Sequence, residues 1–326
     1  MNMRCKALIF SLALIIGGAG VIIDGKMAKA EKYPAKAMTL VLFGDAGGPL
    51  DVQMRLFGKV AEKYLGQPTV ILNKPAGNGV EWADYLMKAP MDGYTLGSST
   101  TSLAAYMLMP AFKQKPDDLD YVGIVLVDAY MLAVKKESPF KTWNDVVNFA
   151  RNNPGKLTCA GVRVGSTHHQ NFAALIAEAG IDIVWMPTKG GNEALTTLLG
   201  GHTDLGIGTP GNTQAMIAAG KLRPLVLFDT SRSPLLPDMP TCKDLGYKFT
   251  PIAQTRGIVV KKGFSKEKIN ILANAYQKVV SDPEFIKFSE KQGLKPTFIG
   301  PDEMEKWFRK AFTDTQVYLK KVKIIR

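Results

Sequence analysis

Residues 39–72 read TLVLFGDAGGPLDVQMRLFGKVAEKYLGQPTVIL, and this stretch sets the architecture. The apolar run from Thr39 to Gly44 has the length of a strand, and a glycine-rich elbow, Asp45 to Gly48, follows it. From Leu50 to Leu65 the apolar residues Val52, Leu56, Val60 and Tyr64 recur every four positions, which predicts an amphipathic helix. Thr69 to Leu72 is the next strand. Strand, glycine elbow, helix and strand again make a βα unit of the kind that builds parallel sheets.

The same rhythm continues on both sides of a central passage. Asn73 to Gly79 is turn-rich, a helix runs through Met87, and Tyr94 to Gly97 is a third strand. Two extended stretches between Leu119 and Val134 read as the passage into a second set of units. There, Trp143 to Asn152 is helical and stops before Pro154, Leu157 to Ala160 is a strand, and His168 to Ala179 is a helix ended by Gly180. Ile183 to Met186, Leu205 to Ile207 and Leu225 to Phe228 are further strands with short helices among them. Gly257 to Val260 reads as a return strand, followed by helices at Lys266 to Ser281, Pro283 to Gln292 and Asp302 to Val322. The expected fold is α/β with two Rossmann-like lobes, 31–131 plus 253–326 as lobe I and 132–252 as lobe II. A chain that leaves one lobe and returns makes a hinge from at least two crossings.

A length of 326 residues suits two cores rather than one. The N-terminus carries Arg4 and Lys6, an apolar stretch from Ala7 to Ile23, and Ala28-Lys29-Ala30. That order describes a cleavable signal peptide over residues 1–30, with small residues where the peptidase pocket needs them. Export to the periplasm is the expectation. The whole chain has a net charge of +12, and removal of a leader carrying +3 leaves +9. Lys and Arg are dispersed rather than clustered with aromatics, which argues for a solvated basic surface and against nucleic acid. Cys159 and Cys242 are the two cysteines beyond the leader; an oxidising compartment permits a disulfide, but two thiols so far apart in sequence do not establish one.

Several stretches match a known family in order and spacing. AGGPLD at 46–51, LGQPTVILNKPAGNG at 65–79 and APMDGYTLG at 89–97 resemble the opening of the Bug (TctC) receptors, the solute-binding proteins of tripartite tricarboxylate transporters. PGKL at 154–157, GSTHH at 165–169, MPTKGG at 186–191, LLGGHTDLGIG at 198–208, AAGKLR at 218–223 and RSPLLPDMPT at 232–241 continue the series to cover the region beyond the leader. The resemblance implies a periplasmic binding protein of the Venus-flytrap type, with a ligand cleft between its lobes. It further implies a monomer that holds a small carboxylated molecule and delivers it to membrane permease subunits, with no cofactor and no enzymatic step.

Local chemistry points to the same elbows. Ligands of open α/β sheets bind beyond the carboxyl ends of the strands, where helix N-termini offer unpaired N–H groups to an anion. By resemblance, Ala46, Gly47 and Gly48 present donors from the first lobe, and Gly165, Ser166 and Thr167 from the second. Ser99, Thr100 and Thr101 add hydroxyls, His168 a ring nitrogen, and Thr188, Lys189 and Gly190 form a further elbow. Asp51 reads as a brace for its helix rather than a ligand contact. Asp45 stands where the family usually has a proline or small residue, so it either repels an anion, receives an ammonium or hydroxyl, or faces solvent. Arg163 and Arg256 are either partners for a second carboxylate or surface arginines.

Other signals compete. Gly206, Gly208 and Gly211 spell G-x-G-x-x-G, with Asp229 at the end of the next strand, the pattern of an NAD-dependent oxidoreductase. Pro210 disturbs that turn. His168 and His169 are adjacent and cannot share a metal as i, i+4 ligands do. Ser166 lacks the G-x-S-x-G elbow of an esterase.

Overall fold

The structure is a computed structural model that describes residues 33–321 and 323–325, so the expected signal peptide and the predicted helix end at Val322 lie outside the described residues. The described residues, from Tyr33 onward, belong to one compact unit. It is built on two sheets with helices packed around them.

In chain order the first sheet receives β1 (Met38–Leu42), α1 (Pro49–Leu65), β2 (Thr69–Asn73), α2 (Val80–Lys88), β3 (Thr95–Ser99), α3 (Thr101–Tyr106) and β4 (Leu119–Asp128). One residue, Ala129, separates β4 from β5 (Tyr130–Lys135), which lies in the second sheet. There follow α4 (Trp143–Asn152), β6 (Thr158–Val162), α5 (Thr167–Ala179), β7 (Val184–Thr188), α6 (Gly191–Leu199), β8 (Leu205–Gly208), α7 (Pro210–Ala218) and β9 (Leu222–Phe228). The chain then returns to the first sheet with β10 (Gln254–Lys261), α8 (Lys266–Val280), α9 (Pro283–Lys291), β11 (Lys295–Ile299) and α10 (Pro301–Lys321).

The sheets run β11-β4-β10-β3-β1-β2 and β7-β6-β8-β5-β9. Both are mixed, which corrects the expectation of parallel sheets. β2, β1 and β3 are parallel, as are β7, β6 and β8, but β10 runs against β3 and β4, and β5 runs against β8 and β9. The strands that carry the chain between sheets enter against their neighbours, a reversal that no local sequence pattern encodes.

Both faces of the first sheet are buried. Met38, Leu40 and Leu42 enter a core shared with α1, α8 and α9, while Val41 enters the opposite core with Trp82, Leu103, Met304 and Phe308. β10 divides likewise, Ile258 and Val260 to one side and Val259 to the other. Two-sided burial is why these strands read as unbroken apolar runs. The second sheet has its own core around Tyr130, Leu132, Trp143, Phe172 and Leu205.

The helix boundaries follow local chemistry. Pro49 stands at the start of α1, and Gly66 ends it in the left-handed conformation at φ 69°. Thr142 and Asp145 form a capping box on α4, and Ser166 caps α5. The buried face of α1, however, is Leu50, Met54, Phe57, Val60, Ala61 and Leu65, with Val52 and Tyr64 exposed. A strict four-residue spacing drifts by about 40° per step around a helix, so the stripe predicted from Val52 cannot stay against the core.

The crossings are braced. The Thr101 hydroxyl donates to the carbonyl of Ala253 at 2.7 Å, and the Thr255 amide donates to the Thr101 hydroxyl at 3.2 Å. From the other side, Asn171 exchanges two hydrogen bonds with the backbone of Ile252, at 2.9 and 2.8 Å. α10 forms a further link. It begins after β11, and its last turns reach α5, where Leu319 packs on Gly165 and Tyr318 meets the His169 ring.

Candidate functional site

The carboxyl ends of β1, β3, β6, β7 and β8 converge on one cavity of about 250 Å³, completed by Gln254 and Arg256 from the start of β10. That size suits a small molecule. Its walls come from elements of both sheets and from the returning strand β10, so a guest there touches both sides and one of the crossings.

The helix starts around the cavity differ in a useful way. α5 is closed by its own Ser166 side chain, and α7 by a capping box of Thr209 and Asn212. α1, α3 and α6 begin at Gly48, Thr100 and Gly190 with no side-chain cap, and all three of those residues line the cavity. Uncapped starts leave amide donors and a partial positive charge beside the space, two from the first sheet's side and one from the second's.

Eight of the residues expected from sequence line this cavity: Asp45, Gly48, Thr100, Arg163, His168, Lys189, Gly190 and Arg256. Thr100 and His168 are almost wholly buried, and the Thr100 hydroxyl and His168 Nδ1 have no hydrogen-bond partner. Unpaired buried polar atoms are costly, and here they sit at the wall of a site a ligand can enter. Burial first, and then the Arg256 charge, push the His168 pKa down to about 3, so its imidazole is neutral.

Arg256 is not a surface residue. Only 2% of it is exposed. Its Nε donates to Gln53 Oε1 at 2.6 Å, and its guanidinium pairs with the fully buried Asp128 at 3.3 Å. Burial raises the Asp128 pKa to about 6, with Arg256 opposing the rise. Arg163, from the elbow after β6, reaches across to the first sheet's side, where it donates to the Tyr106 hydroxyl at 3.2 Å and lies over the Tyr106 ring.

The other eight lie off the cavity wall, each for a visible reason. Ala46 and Gly47 sit on the outer side of their turn, and the Gly47 amide donates to Asp51 at 2.9 Å. Asp51 thereby braces the elbow, and it also pairs with Arg55 at 2.9 Å. Ser99 is buried within β3. Thr101 is committed to the crossing strand. The Gly165 amide donates to His169 Nδ1, Ser166 bonds the Val162 carbonyl, and the Thr167 hydroxyl pairs with Ser102 at 2.9 Å. The Thr188 hydroxyl is spent on backbone carbonyls, 3.1 Å from that of Gly161 on β6 and 3.1 Å from that of Gly190 in its own elbow. Within glycine-rich elbows, sequence alone does not say which amides the turn itself consumes.

Ser102 and Asn192 line the cavity from the ends of the candidate elbows Ser98 to Ser102 and Thr188 to Asn192, while Tyr106, Thr209, Asn212 and Gln254 line it without having been singled out by sequence. Thr209 and Asn212 had a signal. Thr209 falls inside the G-x-G-x-x-G stretch and Asn212 directly follows it; the stretch ends β8 and opens α7 and is not a dinucleotide loop. Gly206 and Gly208 are bare because added Cβ atoms would meet Leu198 at 3.0 Å and Thr213 at 2.5 Å. β8 also runs antiparallel to β5, and Asp229, expected on a ribose, pairs with Lys295 at 2.9 Å. The oxidoreductase alternative is therefore withdrawn. Cys159 and Cys242 are both free and buried. No helix among the described residues is long and apolar enough to cross a membrane, and no group of three or more His, Cys, Asp or Glu there could hold a metal ion.

Comparison with known proteins agrees with this arrangement. The UPF0065 protein in the gbd 5' region of Cupriavidus necator is 31% identical over 297 residues, covering 90% of this chain and 89% of the relative. The structure of the periplasmic binding protein BugD, 24% identical, superposes with a TM-score of 0.80 over 89% of this chain and 98% of BugD, which establishes the two-lobed α/β fold. R. palustris Rpa4515, solved with adipate, is 25% identical with a TM-score of 0.82, over 88% of this chain and 97% of that one. The family model described as the tripartite tricarboxylate transporter family receptor matches residues 54–323, and this chain belongs to that family of receptors.

Proposed function

We propose that this receptor captures a small carboxylated molecule in the cavity between its two sheets and closes on it by motion about the crossings at Ala129 and 252–256. The lobes in this reading are 31–131 plus 253–326 and 132–252. The guest's carboxylate is received by the uncapped starts of α1, α3 and α6, the Thr100 hydroxyl and the Arg163 guanidinium. The closed receptor then delivers it to a membrane permease of the tripartite tricarboxylate type. Removal of residues 1–30 places the working protein in the periplasm as a monomer. No bond in the guest is made or broken.

The observation that supports this most directly is the contrast among helix starts: those bordering the cavity without caps come from both sheets, while the neighbouring α5 and α7 satisfy their own amides. Rpa4515 was solved with adipate, which makes carboxylates the first class to try.

Thermal denaturation across a panel of mono-, di- and tricarboxylates and amino acids tests the reading. A guest present at about a thousand times its Kd stabilises the fold by about 4 kcal/mol. Arg163→Ala should weaken the best binder about tenfold, equivalent to roughly 1.4 kcal/mol. A panel without one stabilising member overturns the proposal.

A further inference from the structure

The charge layout of the cavity narrows the guest beyond "carboxylate", in a refinement that rests on the receptor reading. Arg256 is cancelled by Asp128, since both side chains are almost fully buried and only 3.3 Å apart. That pair presents little net field to a ligand. The Glu193 carboxylate is engaged by the Lys189 backbone amide at 2.8 Å, and Lys189 itself is exposed. Four charged groups line the space and take part in no ion pair among the described residues: Arg163, Asp45, Lys189 and Glu193. Lys189 and Glu193 carry opposite charges at the one start of α6, which leaves Arg163 and Asp45 as the lone charges of two separate elbows.

Asp45 is well placed to act on a guest. It belongs to the elbow after β1, yet its Oδ2 lies 3.6 Å from the point where a Cβ on Gly190 would stand. Asp45 is exposed, and its carboxylate stands beside the uncapped start of α6, where a second ligand anion would otherwise be received. A dicarboxylate must set one of its anions against this carboxylate. A guest with a protonated amine at that end meets an attractive partner instead.

We propose that Asp45 is a specificity-determining residue, and that the cavity selects small zwitterions whose carboxylate is received by Arg163 and whose ammonium is received by Asp45. Repulsion of a dianion and attraction of an ammonium both come from this one side chain, so a neutral isostere should remove both effects together.

The test is isothermal titration of the wild-type receptor and Asp45→Asn with chain-matched pairs: succinate against 4-aminobutanoate, glutarate against 5-aminopentanoate, and adipate against 6-aminohexanoate. Wild type should bind the amino member of at least one pair tenfold or more tightly than its diacid. Asp45→Asn should lose that preference at least tenfold while keeping the wild-type melting temperature, and Asp45→Glu should keep the preference. A wild-type preference for diacids, or an amino preference that survives Asp45→Asn, overturns the assignment and leaves the receptor reading standing. Binding by neither set overturns it as well, and the broader panel described above then decides the receptor reading separately.

Discussion

At the residue scale, His168 and Asp128 titrate in opposite senses on the two flanks of Arg256. His168 is depressed from its ordinary 6.5 to about 3, chiefly by burial. Its contribution to stability is therefore present above pH 6.5 and is lost as pH falls toward 3, because the unfolded chain takes up a proton that the folded one refuses. Asp128 is raised from 3.8 to about 6, again by burial against the pull of Arg256. Its contribution is fully present below 3.8 and is lost as pH rises through 6. His168→Gln should remove the first effect and leave the second. Between about pH 7 and pH 5 the unfolding free energy of His168→Gln should change more favourably than that of wild type by roughly 2 kcal/mol, since in wild type the Asp128 gain is offset by the His168 loss. Urea titrations at the two pH values measure it, and the same pH dependence in variant and wild type would mean that the imidazole is not held neutral in the fold. The burial behind both shifts was hidden in the sequence, where Arg256 stood open as either a ligand partner or a surface arginine.

Elements were legible where capping chemistry is local. α4 has the bounds read from sequence, Trp143 to Asn152, because Thr142 and Asp145 close its start and Pro154 follows its end. β11 was missed: Lys295, Pro296 and Thr297 open a five-residue strand at the sheet's edge, so only Phe298 and Ile299 read as an apolar signal. α10 was predicted as a helix, but its role as a link was not. Leu319 is fully buried, and its Cδ2 lies 2.9 Å from where a Cβ on Gly165 would be. Gln170 Nε2 holds the Gly165 carbonyl at 2.9 Å, so the helix end and the elbow that leads to His168 form one packed unit. Leu319→Ala should cost about 2–5 kcal/mol in chemical denaturation, through lost burial plus the cavity left behind. It should also weaken ligand binding, because the elbow loses its backing. Wild-type stability in that variant would show that the end of α10 does not pack as described.

At the scale of the molecule, the cavity spans two sheets that are joined through single-residue and braced connections, so ligand capture by closure should change overall dimensions. X-ray scattering should show the radius of gyration falling when a stabilising ligand saturates the receptor, with no change for a panel member that does not bind. Identical profiles in both cases would exclude closure as the capture step. The division between sequence and structure follows from the range of the forces involved. Repeating strand, elbow and helix patterns are set by neighbours within a few residues of one another, so the α/β class, most elements and the ordered family motifs could be read directly from the chain. The antiparallel entry of β5 and β10, the pairing of Arg256 with Asp128, the reach of Asp45 to Gly190 and the choice of which elbow amides remain free depend on groups brought together from distant parts of the sequence. Only the folded arrangement decides those, because burial and partner distance, not residue type, determine whether a polar group is spent on the protein or left for a ligand.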